Sequence, residues 1–106
     1  MQFIVPLAEA KVQLSKASTE FIELFKHGSL SVELYQPQEK DKQQPHTRDE
    51  VYVVVVGEGT FFFDGERKTY QAGDVIFVPA GIEHRFETFS EGFMTWVFFY
   101  GPEGGE

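Results

Sequence analysis

The stretch PHTRDEVYVVVVGEG, from Pro45 to Gly59, decides the fold. Its second half is a run of β-branched and aromatic residues without a helix former, which is typical of a strand buried on both faces. A turn at residues 57–59 ends the run. His46 and Glu50 are four positions apart, so an extended chain projects both side chains to the same side. One imidazole and one carboxylate at the mouth of an apolar strand are suited to a metal site.

Outward from this strand, short apolar segments recur between turns rich in glycine and proline. The pair Asp64-Gly65 is a strong hairpin signal, because both residues accept the positive φ of a type I′ turn. Residues 1–16 are mixed and predict an edge strand followed by a loop. For residues 18–26 a helix capped by Ser18 or Thr19 competes with a strand, and the crowding of Phe and Ile favours the strand. The predicted strands are residues 20–25, 29–35, 51–56, 60–63, 67–70, 75–78, 82–88 and 93–100.

Regularly spaced short strands of this kind indicate an all-β sandwich or barrel with little or no helix. In the segment SLSVELY, residues 29–35, Leu30, Val32 and Leu34 alternate with Ser31 and Glu33, so we predict a half-buried strand there.

Size and composition limit the function classes. At 106 residues the chain is predicted to form one domain, and without cysteine it has neither disulfides nor thiolate ligands. It carries 9 basic and 17 acidic side chains, a formal net charge of −8, which disfavours binding to nucleic acid. No apolar run approaches the ~20 residues of a membrane span, and the N-terminus has no basic segment followed by an apolar one. We therefore expect a cytoplasmic protein without a membrane or nucleic-acid partner.

Two motifs in the chain resemble those of the cupin family. In the first motif, about residues 38–57, and the second, about residues 73–88, the matching residues are His46, Glu50 and Gly57, then Gly73, Pro79, Gly81 and His84. The chain departs from the family pattern at Gln38 in place of a leading glycine, Gln44 in place of the first histidine and Thr88 in place of the final asparagine. The resemblance implies one cupin domain over residues 1–106, folded as a jelly-roll β-barrel.

The resemblance also implies a metal centre. Carried over by position, its ligands are His46, Glu50 and His84, and Gln44 takes the place of the missing histidine as a fourth ligand, an outer donor or a solvated side chain. Two imidazoles and one carboxylate suit a divalent transition metal such as Fe, Mn, Ni or Zn. The remaining histidine, His27, adjoins a turn glycine and is predicted to lie on the surface.

Strand alternation predicts the pocket around this centre. Tyr52 shares the side of Glu50, and Phe86 shares the face of His84. Either the even or the odd residues of the last strand point inward, and we choose the even set, which adds Trp96 and Phe98 to the pocket. Tyr52 and Tyr100 are then the candidate catalytic proton donors, because no lysine or second carboxylate is placed inside by this reasoning. The opposite face of the last strand is equally apolar, which predicts a homodimer.

Two classes of function fit these residues. The first is a metal-dependent enzyme, a dioxygenase or an isomerase/cyclase, acting on a small, partly apolar molecule that chelates the metal. The alternative is a non-catalytic cupin that binds a small ligand such as a sugar or a carboxylate; a metal-free structural role is a third interpretation. The family resemblance does not choose among them, because the cupin scaffold carries many reactions.

Overall fold

The computed structural model describes residues 3–106, so Met1 and Gln2 lie outside the described part of the chain. One helix precedes eight strands. The elements in chain order are α1 (Leu7–Lys16), β1 (Phe21–His27), β2 (Leu30–Tyr35), β3 (Asp49–Val56), β4 (Glu58–Phe63), β5 (Glu66–Gln71), β6 (Val75–Val78), β7 (His84–Phe89) and β8 (Met94–Tyr100). The predicted all-β architecture is confirmed, and the strand predicted at residues 20–25 is present where the helix was the competing interpretation.

The strands form two antiparallel sheets. The larger sheet has the order β1-β2-β8-β3-β6 and the smaller has the order β5-β4-β7. The prediction that residues 51–56 are buried on both faces is wrong: Tyr52 and Val54 of β3 are buried on the inner face, whereas Val51, Val53 and Val55 are half-buried and Val56 is exposed, because α1 does not cover this part of the sheet. Aromatic rings from both sheets fill the space between them: Phe86 lies 4.8 Å from Tyr52 and 4.7 Å from Phe93, centroid to centroid. These edge-to-face and tilted contacts tie the smaller sheet to the larger one.

The N-terminal segment is a helix and not the predicted edge strand. Residues 7–16 contain Ala, Leu, Glu, Lys and Gln, which all favour helix, and Pro6 precedes the first turn. Ala10 and Leu14 are one helical turn apart and are both buried. The prediction was wrong because the apolar residues of this segment follow the helical period, which is easily missed when they are few.

Helix α1 covers part of the outer face of the larger sheet. Its Ala10 and Leu14 pack in one cluster with Leu34 of β2 and Met94 of β8, and Trp96 packs against the same cluster. The apolar outer face that led us to predict a homodimer is therefore partly covered by the chain itself. On the edge strand β6, Val75 and Phe77 remain 67% and 50% exposed.

The odd residues of β8 face the interior, which corrects the choice of the even set. Val97 and Phe93 belong to the core between the sheets, whereas Trp96 packs beneath α1. The register agrees: Phe99 lies opposite the inward Glu50, and Tyr100 lies opposite Asp49 on the other face. Sequence could not decide this parity, because a strand packed between a core and a helix is apolar on both sides.

Candidate metal centre

Three side chains from separate parts of the fold meet between the two sheets. His46 precedes β3, Glu50 lies on β3 of the larger sheet, and His84 opens β7 of the smaller sheet. The Nε2 atom of His84 lies 3.1 Å from Oε1 of Glu50, and the Nε2 atom of His46 lies 3.7 Å from the same oxygen. One ligand atom of each residue lies within 4.8 Å of the others. The spacing of the two sequence motifs thus predicted a grouping that the fold produces.

Backbone contacts orient the two imidazoles. The N–H of Gly81 donates to the carbonyl of His46 at 2.7 Å, which joins the loop before β3 to the turn before β7. In that turn Gly81 has a φ of +81°, a conformation that glycine adopts without strain. The Nδ1 atom of His84 lies 2.8 Å from the carbonyl of Ile82, so it acts as the donor and leaves Nε2 facing Glu50. Such a contact fixes the tautomer that a ligating histidine needs.

The carboxylate of Glu50 is buried without the partners that a buried charge requires. The side chain is 0% exposed, and within residues 3–106 neither oxygen has a hydrogen bond of good geometry, although Nε2 of His84 lies 3.1 Å from Oε1. An isolated buried carboxylate is costly unless a cation or hydrogen-bond donors compensate it. The two neighbouring imidazole nitrogens are themselves metal-ligand atoms, and the oxygen–nitrogen separations match those of adjacent ligands around one ion. The residues present therefore fit a divalent cation.

The two histidines have opposite pKa shifts. Burial lowers the pKa of His46, and this outweighs the attraction of the Glu50 carboxylate. Burial also opposes the charged form of His84, but its contacts with Glu50 and with the carbonyl of Ile82 outweigh that effect and raise its pKa. His46 is consequently ready to bind a metal at neutral pH, while His84 retains a proton to higher pH than a free imidazole does.

A metal must displace that proton, so we expect metal affinity to depend on pH through His84. Below the raised pKa of His84 the apparent affinity should rise about tenfold per pH unit, because one proton leaves for each metal bound, and it should level off above that pKa. In the metal-free protein the contact between His84 and Glu50 stabilises the fold fully below the pKa of free imidazole, and this contribution is lost as the pH rises through the raised pKa. Competition titrations with a fluorescent zinc chelator from pH 5.5 to 8.5 measure the affinity; a flat profile would contradict the assignment.

Gln43, and not Gln44, is placed at this centre. Its Oε1 atom lies 2.9 Å from Nε2 of His46 and accepts a hydrogen bond from the hydroxyl of Tyr52 at 2.9 Å. Its amide nitrogen donates to the buried carboxylate of Asp41 at 2.8 Å, which fixes the orientation of the amide. Gln44, expected from the motif to fill the fourth position, is exposed. The loop between β2 and β3 is irregular, so counting residues from the motif misplaced the position by one.

The two neighbouring glutamines provide a matched test. We expect Gln43→Ala to weaken metal affinity by about 10- to 100-fold, the range found for groups that support metal ligands. Gln44→Ala should leave the affinity unchanged, because that side chain is exposed. Calorimetric titration of both variants with Zn²⁺ gives the comparison. Equal losses in the two variants, or a larger loss in Gln44→Ala, would exclude the position assigned to Gln43.

A cavity of about 330 Å³ adjoins the centre and is the place where a small molecule would reach it. It is lined by Phe21, Glu33, Tyr35, Gln43, His46, Val97 and Phe99. The ring of Phe99 lies 4.9 Å from that of His46, edge to face. A groove of about 430 Å³ between β5 and β6 is larger, but none of the three ligands lines it.

This cavity differs from the predicted pocket. Tyr52 and Phe86 are in the aromatic core, where Tyr52 still reaches the centre because its hydroxyl lies 3.1 Å from Nε2 of His84. Trp96, Phe98 and Tyr100 follow the even parity of β8 and lie on the outer side, away from the ligands. Tyr100 therefore has no route to the centre as a proton donor, and Phe99 takes the place given to Phe98.

Sequence reasoning missed Glu33 as a lining residue. From the alternation in β2 we predicted that its apolar side is buried and its polar side is exposed. The structure covers both sides of the strand. Leu34 lies beneath α1, while Ser31 and Glu33 face the cavity side of β2. Glu33 pairs across the ladder with Val97, so a correct assignment of the inward-facing residues of β8 would have placed both side chains inside.

The fold and this centre define a small all-β protein with a candidate transition-metal site between its two sheets. The chain matches the cupin domain family over residues 31–100. An uncharacterized protein of Streptomyces coelicolor is 32% identical over 99 residues, covering 92% of this chain and 94% of that protein. A cupin-2 domain containing protein from Shewanella frigidimarina has the same fold, with a TM-score of 0.68 at 20% identity over 92% of this chain and 95% of that one. The chain belongs to the cupin domain family.

One similarity extends to enzymes. The acireductone dioxygenase of Granulibacter bethesdensis is 39% identical over 57 residues, which cover 50% of this chain and 32% of that enzyme. This chain thus matches about a third of the dioxygenase's length. Among residues 3–106, no helix is long and apolar enough to cross a membrane.

Proposed function

We propose that this cupin is a metal-dependent enzyme, a dioxygenase or an isomerase/cyclase, that acts on a small molecule chelating the metal through oxygen. The observation that carries the proposal is the fully buried Glu50 carboxylate, which makes no hydrogen bond of good geometry and has two imidazole nitrogens beside it. The ion would be one of Fe, Mn, Ni and Zn, for which this donor set is suited.

The residues of the centre indicate what the substrate must be. His46, Glu50 and His84 would hold the ion, and Gln43 would lie beside it as a fourth donor. A divalent cation held there supplies Lewis acidity to oxygen donors and, when redox-active, electron exchange with O₂. Because only one ligand is charged, one positive charge is left uncompensated, which favours an anionic oxygen donor. The cavity walls formed by Phe21, Val97 and Phe99 favour a partly apolar molecule of modest size and reduce the access of water.

The partial likeness to acireductone dioxygenases supports this substrate class. An acireductone carries an enediol beside a carbonyl, so it presents two adjacent oxygens and becomes an anion readily. These are the properties that the charge and donor set of the centre favour. The likeness covers half of this chain, so an acireductone is a test compound here and the class of chelating enediols and diketones is the proposal.

The test begins with elemental analysis of protein purified without chelators. Protein loaded with each of Fe, Mn, Ni and Zn is then incubated with an acireductone in air and under nitrogen. A dioxygenase consumes O₂ and yields cleaved products, whereas an isomerase converts the compound equally under nitrogen. Failure to bind any of the four metals, or recovery of chelating enediols and diketones unchanged with every metal, would overturn the proposal.

The alternative of a non-catalytic binding protein has one observation in its favour. The amide oxygen of Gln43, 2.9 Å from Nε2 of His46, would stand in for the histidine that the family motif has and this chain lacks, and it is a weaker donor than imidazole. Tight retention of an enediol, sugar or carboxylate at the metal, with no chemical change over long incubation, would favour this alternative over the enzyme.

A further inference from the structure

A second carboxylate, that of Glu33, faces the cavity without belonging to the metal-ligand group. Glu33 lies on β2, where it pairs across the ladder with Val97 of β8, and both residues line the 330 Å³ cavity together with His46. The three residues that converge as ligands do not include it. Within residues 3–106 it makes no ion pair and its carboxylate makes no hydrogen bond. Its carboxylate is thus available to a molecule in the cavity.

The ionisable groups nearest Glu33 are acidic or imidazole side chains, and the one basic side chain on this side of β1 within residues 3–106 is the exposed Lys26, which pairs with Ser31. On β1 its cross-strand partner is Glu23, which is exposed; from β3 comes Glu50, and from the loop before β3 comes His46. The neighbouring strand β8 contributes only Val97 and Phe99 to this part of the cavity. Burial, followed by repulsion from Glu23 and Glu50, raises the pKa of Glu33 to about 7. A carboxylate in such surroundings exchanges protons near neutral pH.

We propose that Glu33 is the proton acceptor of the site, taking a proton from an O–H or C–H group of the substrate next to its chelating oxygen. The step breaks that bond, the proton goes to a Glu33 carboxylate oxygen, and the electron pair stays on the substrate, which becomes an enolate. No oxidant is needed for this step. In an isomerisation Glu33 returns the proton to another substrate atom, and in an oxygenation the enolate is the species that reacts with O₂. The inference rests on the proposed function, since it needs a substrate beside the metal.

Tyr52 is the competing group and is less suited to accept a proton. It is fully buried, and burial followed by repulsion from Glu50 raises its pKa well above the ordinary value. Its hydroxyl is also engaged by Gln43 at 2.9 Å and lies 3.1 Å from His84. Tyr52 is therefore placed to hold the ligand residues in position, while Glu33 is the group that borders the open space.

Proton counting on binding of a chelating probe tests this role without turnover. Acetohydroxamic acid is a small bidentate oxygen donor that loses one proton when it binds a divalent cation. Its binding to Zn-loaded protein at pH 8 is measured by calorimetry in buffers of different ionisation enthalpy, which gives the number of protons released. This pH lies above the pKa of about 7 of Glu33, so the free carboxylate is mostly ionised and can take the probe's proton.

We expect wild-type protein to release fewer protons per probe bound than Glu33→Gln, because the bound anion repels the nearby carboxylate and raises its pKa, so that Glu33 takes up a proton that the amide cannot accept. Glu91→Gln is the matched control: it removes an exposed carboxylate that does not line the cavity and should keep the wild-type proton count. A Glu33→Ala variant, which should behave as Glu33→Gln does, guards against a local effect of the amide.

The outcomes separate this inference from the function on which it rests. Equal proton release in wild type and Glu33→Gln, with both fully metal-loaded, would exclude Glu33 as the acceptor and leave the metal-dependent function intact. Loss of metal from Glu33→Gln would assign the residue to the metal site instead and would also overturn the inference. If wild-type protein binds no metal, the proposed function fails, and the role of Glu33 fails with it.

Discussion

Replacing His84 by alanine is expected to weaken metal affinity by at least about 100-fold, more than substitutions of the groups around ligands commonly do. Within residues 3–106 the imidazole is one of the three side chains that converge as candidate ligands, and it is the one that the smaller sheet contributes. The cavity that the substitution leaves is lined by Phe61 and Tyr52, so no other side chain replaces the lost nitrogen. The measurement is metal content after dialysis, together with a competition titration against a chelator.

His27→Ala is the matched control for this substitution. His27 lies at the end of β1 and is exposed, so its loss should change neither metal content nor fold. Circular dichroism of both variants shows whether the strands are retained. Retention of the wild-type metal content by a folded His84→Ala protein would contradict the centre, and the proposed function with it.

Replacing Glu50 by glutamine is expected to stabilise the metal-free protein against unfolding and to abolish the further stabilisation that bound metal provides. Once the pH exceeds the raised pKa of His84, the buried Glu50 carboxylate has no charged partner, and a buried charge without a partner costs several kcal/mol. A neutral amide of the same shape still lacks some hydrogen bonds, which costs about 1–3 kcal/mol. The net gain should be about 1–3 kcal/mol in the free energy of unfolding, and about 4–8 °C in Tm for each kcal/mol in a domain of this size.

Thermal unfolding with and without Zn²⁺ tests whether the variant is the more stable protein without metal and the less stable one with it. Wild-type protein should gain about 2.7 kcal/mol when free metal is at a hundred times its dissociation constant, and Glu50→Gln should gain almost nothing. At pH 5 the advantage of the variant should shrink, because a protonated His84 then compensates Glu50. Glu91→Gln, in an exposed turn, should differ from wild type by no more than about 0.5 kcal/mol. A destabilised metal-free Glu50→Gln protein would show that the carboxylate has partners.

Much of the fold and the centre followed from local sequence patterns. The β-branched run at residues 51–56 and the glycine turns gave the strands, and the fixed spacing from His46 to Glu50 put both side chains on one side of an extended chain. His84 could be grouped with them through the resemblance to a family, since no local pattern connects residues in two different sheets.

The remaining errors have a common physical origin. Where a sheet packs against the core on one face and against a helix on the other, side chains on both faces of a strand can be buried. β8 is apolar on both faces, so its parity, and with it the placement of Trp96, Phe98 and Tyr100, depends on the register with β3. Glu33 was overlooked because the polar side of β2 faces a cavity and not solvent. The shift from Gln44 to Gln43 arose in an irregular loop, where neither strand nor helix period fixes the direction of a side chain.

Apart from His46 and Gln43, which belong to both, the metal centre and the cavity walls come from different parts of the chain. His46 lies in the loop before β3, Glu50 on β3 and His84 on β7. The wall residues Phe21, Glu33 and Val97 lie on β1, β2 and β8. Mutation can therefore change the shape of the ligand cavity while the residues that would bind the metal are retained. Related proteins can therefore evolve different ligand specificities on the same metal site. For protein engineering, the wall residues are positions that can be randomised with little risk to that site.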